Sequence, residues 1–531
     1  MRGDFLGQLR YDKLDNSRMW MICSFFVIIV TCLVYSIVFF CYDNCFYVAE
    51  ARDILSNGLV TFTDNLSLHD GLPFMHQRIL SNFIVYAIDI FGGTKGFAIA
   101  CFCVNFVFYS GIYLFLRKQD LFENSKFSFF VISIVCMGSY LFVELRASTF
   151  TMFILFLVWY LTELYIDHKI GSVRYCLFSF GLGCIEMWIQ SSMWFLMVVI
   201  LLPYLFDFRF ARRWIRDRSA VYSKGIISLG SVCMFVGGIF NPYGLKSYDY
   251  MVRCLLVPFR CVYQKYVPEM LSGEFDIISV AIISLVLMNL YLMIHYRFFV
   301  LRSVYYCAGS TVLLFLSERL KYIAIIFLLL SICIIFHCVK LRQDELLVAD
   351  KAVFLGHKDS IMCLLLILCV FLFTVVPRTL DFFFVNGRKE YDYDVAIDAI
   401  DEHNDKEGLR IFTFADAGSY AEYKGMHSYI DNRSEFFDSN FYEYKKNIIE
   451  EFQSLFDDGM YNGRAFADDP DLIYEFQNDY DIDYYVFSSY YINSSDDIYN
   501  IADVLNDKAV LNYAYKDICV YSFKDNSVFS D

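Results

Sequence analysis

The sequence predicts a polytopic α-helical membrane protein that carries a small acidic α/β domain at its C-terminus. Three observations predict it. Apolar residues arrive in blocks of roughly 18–24 between Met19 and Pro377, the length that matches the hydrocarbon core of a bilayer. Those blocks stop near Asn386. Charge divides at the same point: residues 386–531 carry 12 Lys and Arg against 32 Asp and Glu, while residues 1–385 carry 32 against 27. The net charge of −15 is therefore a tail of −20 on a membrane part of +5. An acidic tail does not suit nucleic acid or anionic lipid, and reads as a solvated surface.

Each element follows from local pattern. Residues 1–18 are polar and mixed in charge, and form a short cytoplasmic N-terminus. The apolar run 19–42 is too long for a signal-peptide core and lacks a small-residue cleavage site, so it reads as a first anchor that stays. Further helices are predicted near 78–92, 95–116, 126–143, 148–166, 175–206, 225–240, 276–296, 304–317, 321–340 and 360–377, giving about eleven crossings within a membrane domain over 19–385. Two of these stand apart: 78–92 is short and holds Asp89, and 175–206 is long enough to break near Gln190-Ser191-Ser192.

The densest basic loop, Arg209 to Lys224, belongs in the cytoplasm. Eleven crossings then place the outer loops 43–77 and 241–275, and the domain 386–531, on the extracytoplasmic side. Arg117, Lys118 and Lys126 fall outside in that count, against the rule.

In the tail, apolar runs at 409–414, 484–487 and 518–523 read as buried strands. Helical patterns near 394–404, 441–456, 470–478 and 495–506 lie between and around them, with Ser494-Ser495-Asp496 offering an N-cap. The cysteines sit almost entirely in or beside apolar segments, where cysteine behaves as a small hydrophobe, and no pair has zinc-site spacing.

The first outer loop is the most informative segment. Asp43 follows the first anchor at the membrane boundary, where a carboxylate is partly desolvated and its field less screened. Residues 46–55 place apolar positions at helical spacing with a charged face, which predicts a helix lying along the interface. Asp64, Ser67, His69, Asp70, His76 and Arg78 follow, a dense set of titratable groups for so apolar a chain. A solvated loop is the plain alternative.

The order of these motifs resembles the first outer loop of GT-C superfamily membrane glycosyltransferases, enzymes that take sugars from polyprenyl-phosphate carriers. The resemblance runs from Asp43 through an Ala-Arg-x-Ile-Leu-x-x-Gly helix (Ala51 to Gly58), Thr63-Asp64-Asn65-Leu66-Ser67 and His76-Gln77-Arg78-Ile79-Leu80. It continues with Trp188-Ile189-Gln190, Asn241-Pro242-Tyr243-Gly244, Glu318-Arg319, Phe414 to Tyr420 and Tyr429-Ile430-Asp431-Asn432-Arg433. Together these resemble a bacterial branch with a C-terminal soluble domain. The chain departs from that pattern at Asp43-Asn44, where many members have Asp-Glu, at Gln190-Ser191-Ser192 and at His76-Gln77-Arg78.

The resemblance implies a transferase of the bacterial cell membrane that builds an envelope glycan. It would move a sugar from a polyprenyl-phosphate donor to a glycan, lipid or protein acceptor on the outer face. It assigns Asp43 as the catalytic base, Arg319, Lys321 and Arg78 as donor-phosphate partners, and His76, Asp64, Asp70 and Glu269 as substrate contacts. A divalent cation, Mg or Mn, could sit on Asp43, Asp64 or Asp70. The partners are membrane lipid, the lipid-linked sugar and the acceptor, with no nucleic acid. From the residues alone, Asp43 is equally a helix-end cap and Lys321 a snorkelling cation. Asn241-Pro242-Tyr243-Gly244 is mainly a turn signal, and Asp431-Asn432-Arg433 a turn with an ion pair. Two other classes stay open: a flippase of a lipid-linked glycan, and a non-catalytic assembly protein. A flippase usually has two similar halves and buried charges along a path, and neither is evident.

Overall fold

A computed structural model describes residues 18–34, 36, 42–119, 126–138, 145–205, 223–260, 277–295, 301–316, 320–343, 376, 389–404, 408–442, 444, 446–492 and 498–523. They divide into two compact units. One draws on residues 1–40, 94–247 and 269–379; the other on 41–93, 248–268 and 380–531.

The first unit is helical. Every predicted helix within it has a counterpart except 360–377, of which only Val376 is described. Among the described residues, Lys95–Lys118 and Ala147–Ile166 are long and apolar enough to cross a bilayer. The predicted 175–206 segment breaks. Gln190 leaves helical geometry (φ −158°, ψ 91°), and the pieces Ser172–Met193 and Phe195–Leu205 meet at 109°. Together they count as a third span, or as a loop that re-enters. Arg18–Val34, Lys224–Ile239 and other apolar helices are shorter.

Small residues set the packing here. A Cβ on Gly183 would lie 2.2 Å from the Met234 carbonyl oxygen, and one on Gly237 would lie 2.1 Å from that of Phe180. The helices Ser172–Gln190 and Lys224–Ile239 therefore touch backbone to backbone, the membrane mode of helix association. Buried polar groups are paired across helices. Arg302 donates to Glu163 at 2.8 Å, with Tyr204 Oη also donating to Glu163 at 2.5 Å. Thr151 Oγ1 donates to Glu186 at 2.7 Å. Asn241 accepts from Tyr243 N (2.8 Å) and Ser247 Oγ (2.7 Å), which makes Asn241-Pro242-Tyr243-Gly244 a side-chain-locked turn.

The second unit is α/β. In chain order it contains α1 (Tyr42–Asn57), α2 (Ile79–Gly93), α3 (Lys389–Glu402), β1 (Arg410–Phe412), α4 (Ala415–Tyr423), β2 (His427–Ser428), α5 (Ile448–Gln453), β3 (Met460–Tyr461), β4 (Arg464–Ala465), α6 (Leu472–Tyr480), β5 (Tyr484–Ser488), α7 (Ile501–Lys508), β6 (Val510–Tyr515) and β7 (Ile518–Ser522). The main sheet runs β2-β1-β5-β7-β6, parallel across β2, β1 and β5 and antiparallel across β5, β7 and β6. All residues of β5 and β7 are buried, as strands covered on both faces should be. The helix cap expected at Ser494-Ser495-Asp496 lies outside the described residues; Asn500 caps α7 in a capping box with Asp503.

In helix α1, residues 44–51, 53 and 54 are buried, and α1 packs against α4. Its charged residues had suggested a wet face, yet Glu50 and Asp53 point inward to His76. Helix α2 ends where Gly93 turns left-handed (φ 54°). Its fifteen residues rise about 22 Å, and it stands with Lys224–Ile239 among the shorter apolar helices. Its acidic residue Asp89 meets Arg52 Nη2 at 3.3 Å and Tyr423 Oη at 2.9 Å.

Candidate functional site

The loop between α1 and α2 is held by the C-terminal sheet. Thr63 pairs with Pro73 in an isolated antiparallel bridge, and Asp64 N donates to Leu72 O at 2.8 Å. Beyond this turn the chain joins the free edge of β2. Ser67 bridges Ser428 in parallel, Leu68 N donates to Ser428 O at 2.9 Å, and Arg410 Nη2 donates to Leu68 O at 2.9 Å. His69 donates Nε2–H to the Tyr429 carbonyl at 2.7 Å, packed on the rings of Tyr429 and Tyr480. Burial pushes its pKa down to about 4, so the ring is neutral.

At the centre stands Arg433, 1% exposed. Its Nε donates to both oxygens of Asp431 (2.9 and 3.0 Å), and its Nη atoms donate to both oxygens of Asp64. Its plane lies over Phe74 (4.7 Å) and Phe46 (5.0 Å). Glu422 approaches at 3.6 Å. Burial acts to raise the Asp64 carboxyl, but the guanidinium more than offsets it and holds the pKa below the ordinary carboxylate range. Burial and the nearby Asp431 push Glu422 up. The turn and ion pair expected at Asp431-Asn432-Arg433 are both present, with Arg433 N donating to Asp431 Oδ1 at 2.7 Å.

The other candidate residues fall as follows. His76 lies between two carboxylates, Nδ1 at 3.3 Å from Glu50 and Nε2 at 3.3 Å from Asp53. Burial opposes its protonation, but the two acids outweigh that and raise its pKa. Asp53 also accepts from Asn57 (2.7 Å) and Asn65 (3.1 Å). Asp70 is exposed. Arg78 Nη1 donates to Tyr47 Oη at 3.1 Å, and the guanidinium lies in the field of Glu50, Glu435 and Asp43. Asp43 sits in the first turn of α1, half-buried, and accepts from Asn432 Nδ2 at 3.1 Å. In the helical unit, Lys321 opens the helix Lys321–Gln343 and is fully buried, unlike a cation snorkelling to a surface. Arg319 and Glu269 lie outside the described residues.

The structure thus brings Asp43 and Arg78 into one electrostatic neighbourhood, and commits Asp64 to Arg433. Among the described residues no group of three His, Cys, Asp or Glu could hold a metal ion; Asp43, Asp64 and Asp70 do not form one. That donor set does not fit a divalent cation. Sequence reasoning missed Asn432 as the neighbour of Asp43. It also missed Glu435, which accepts from Gln77 (2.9 Å) and Tyr250 Oη (3.1 Å). All three contacts join residues more than a hundred positions apart, and no local spacing carries such a signal.

No protein-family model matches the chain, and no curated protein matches it. Solved structures do. The chain is similar to the oligosaccharyltransferase of Archaeoglobus fulgidus in its apo form, with a TM-score of 0.57 over 88% of this chain and 70% of that one, at 11% identity. It is also similar to the same enzyme tethered through a disulfide bond to an acceptor peptide containing the NVT sequon. There the TM-score is 0.53 over 94% and 74%, at 9% identity. The chain shares the fold of these oligosaccharyltransferase structures. Identity this low speaks for the fold and not for single residues.

Proposed function

We propose that this chain is a GT-C glycosyltransferase of the bacterial cell membrane. It transfers a sugar from a polyprenyl-phosphate donor to a glycan, lipid or protein acceptor on the outer face. One observation carries the reading: within a GT-C fold, the half-buried Asp43 is held by Asn432 near Arg78, while Glu50, Asp53 and Asp64 are all engaged by other side chains. Asp43 takes the proton from the acceptor hydroxyl. The acceptor oxygen bonds to the anomeric carbon, the bond from that carbon to the phosphate oxygen breaks, and the polyprenyl phosphate leaves. Arg78 offsets charge growing on the phosphate. Lys321 and Arg319 are further candidates that rest on the motif resemblance alone. No step is routed through a metal.

The same reading sets the topology. If α2 does not cross and the pair Ser172–Met193 and Phe195–Leu205 re-enters, nine crossings replace eleven. Arg117, Lys118, Lys126, Lys169 and Arg174 then join the basic loop 209–224 in the cytoplasm, as the positive-inside rule asks. The N-terminus stays inside and residues 386–531 stay outside.

The test uses the full chain in sealed vesicles loaded with radiolabelled lipid-linked sugar. Both transfer to acceptor and movement of the label across the bilayer are followed. The wild type should transfer, and Asp43→Asn should not. Movement of label without transfer by the wild type overturns the reading in favour of a flippase.

A further inference from the structure

The geometry points to Asn432 as a positioning residue that aims the Asp43 carboxylate from the C-terminal domain. This deepens the proposed function and rests on Asp43 acting as base. Asn432 Nδ2 donates to Asp43 Oδ1 at 3.1 Å across 389 positions of chain. The contact is not a chance meeting of two mobile groups, because the turn that carries Asn432 is held by several bonds. Its backbone N–H donates to Ser419 Oγ at 3.2 Å, and Ser419 Oγ itself donates to Ala415 O at 3.2 Å. Its two chain neighbours, Asp431 and Arg433, are fully buried and bonded to each other and to Asp64. The preceding residue pair is clamped as well: a Cβ on Gly418 would lie 2.0 Å from Ile430 O, so only glycine lets α4 come this close.

Asp43 itself opens α1, whose following residues are buried, so its backbone cannot drift. Both ends of the Asn432–Asp43 bond are therefore set by rigid surroundings, the arrangement that holds a reacting group within a fraction of an ångström. The bond fixes one carboxylate oxygen and so directs the other. An amide suits this task where a cation does not, since it orients the carboxylate without neutralising it. The neighbouring cation Arg433 serves Asp64 and Asp431, while the Asn432 amide reaches Asp43.

The test compares Asn432→Ala and Asn432→Asp in the full chain, measuring kcat and KM for the lipid-linked sugar. A positioning role predicts kcat down about 10-fold to 100-fold for Ala with KM within about threefold, because a hydrogen bond to a charged group is lost only in the reacting geometry. Asp is the closer isostere of Asn, yet it sets carboxylate against carboxylate and should be the slower variant. A merely structural residue gives the reverse order. Combined with Asp43→Asn, the Ala substitution should add no further loss to the residual rate; full additivity overturns the inference. If Asp43→Asn alone keeps the wild-type rate, the proposed base is wrong. If Asp43→Asn is inactive while Asn432→Ala is normal, only the positioning role falls.

Discussion

Replacing Arg433 by alanine should cost more than any other single truncation in the second unit. The guanidinium serves Asp64 and Asp431 directly and Glu422 at 3.6 Å, all buried. Removing one member of a buried ion pair costs roughly 3–5 kcal/mol, because its partner stays desolvated and unpaired. The lost stacking over Phe46 and Phe74 adds roughly 0.5–2 kcal/mol. A protein held by about 5–15 kcal/mol loses a large share of that.

The loss should depend on pH in a definite direction. In the wild type the depressed Asp64 pKa supplies stability that is present above the ordinary value of 3.8 and fades as pH falls through the folded value. In the variant the stranded carboxylates are relieved by taking up protons, which costs about 4 kcal/mol for an ordinary Asp at pH 7 and less than half that at pH 5. The variant's deficit should therefore shrink on acidification.

Hydrogen exchange of the full chain in micelles reads this at the amides of Ser67, Leu68 and Leu72, which lie in the loop that Asp64 anchors. Protection should fall by about a thousandfold at pH 7 and by much less at pH 5. Arg433→Met, which restores volume without charge, should rescue little. Protection within threefold of wild type, or a loss independent of pH, refutes the ion cluster as the anchor of the loop.

Two other predictions follow from the same geometry. His69 is neutral and buried, with its pKa lowered from 6.5 to about 4, so stability is full above 6.5 and declines by about 3 kcal/mol as pH falls to about 4. His69→Gln keeps a donor toward Tyr429 O and should flatten that limb in urea titrations; an unchanged limb contradicts the assignment. An epitope tag inserted after Lys169 should be shielded in intact cells and one after Asp70 accessible, as nine crossings require; exposure of the Lys169 tag restores the eleven-crossing count.

Much of this architecture was legible. The helices of the first unit are written in apolar length, and β1, β5 and β7 in short apolar runs between turns. What was illegible depended on partners distant in the chain. The charges of Glu50 and Asp53 suggested a wet face on α1, but charge does not imply water when His76 is inserted between them. Asp64 looked like a ligand for sugar or metal because loop carboxylates usually are exposed. Its true partner is 369 residues away. Strand β6 was missed since, as an edge, it shows a weak alternation of burial. The motif order located the loop and the soluble-domain turn, yet only the fold reveals that one is anchored on the other.

The most direct test of the account is a single-turnover comparison of wild type and Asp43→Asn with the donor prebound. The account predicts that Asp43→Asn binds the lipid-linked sugar within about threefold of wild type and transfers it about 100-fold to 10,000-fold more slowly, the range expected for loss of a general base. Transfer by Asp43→Asn at the wild-type rate contradicts it.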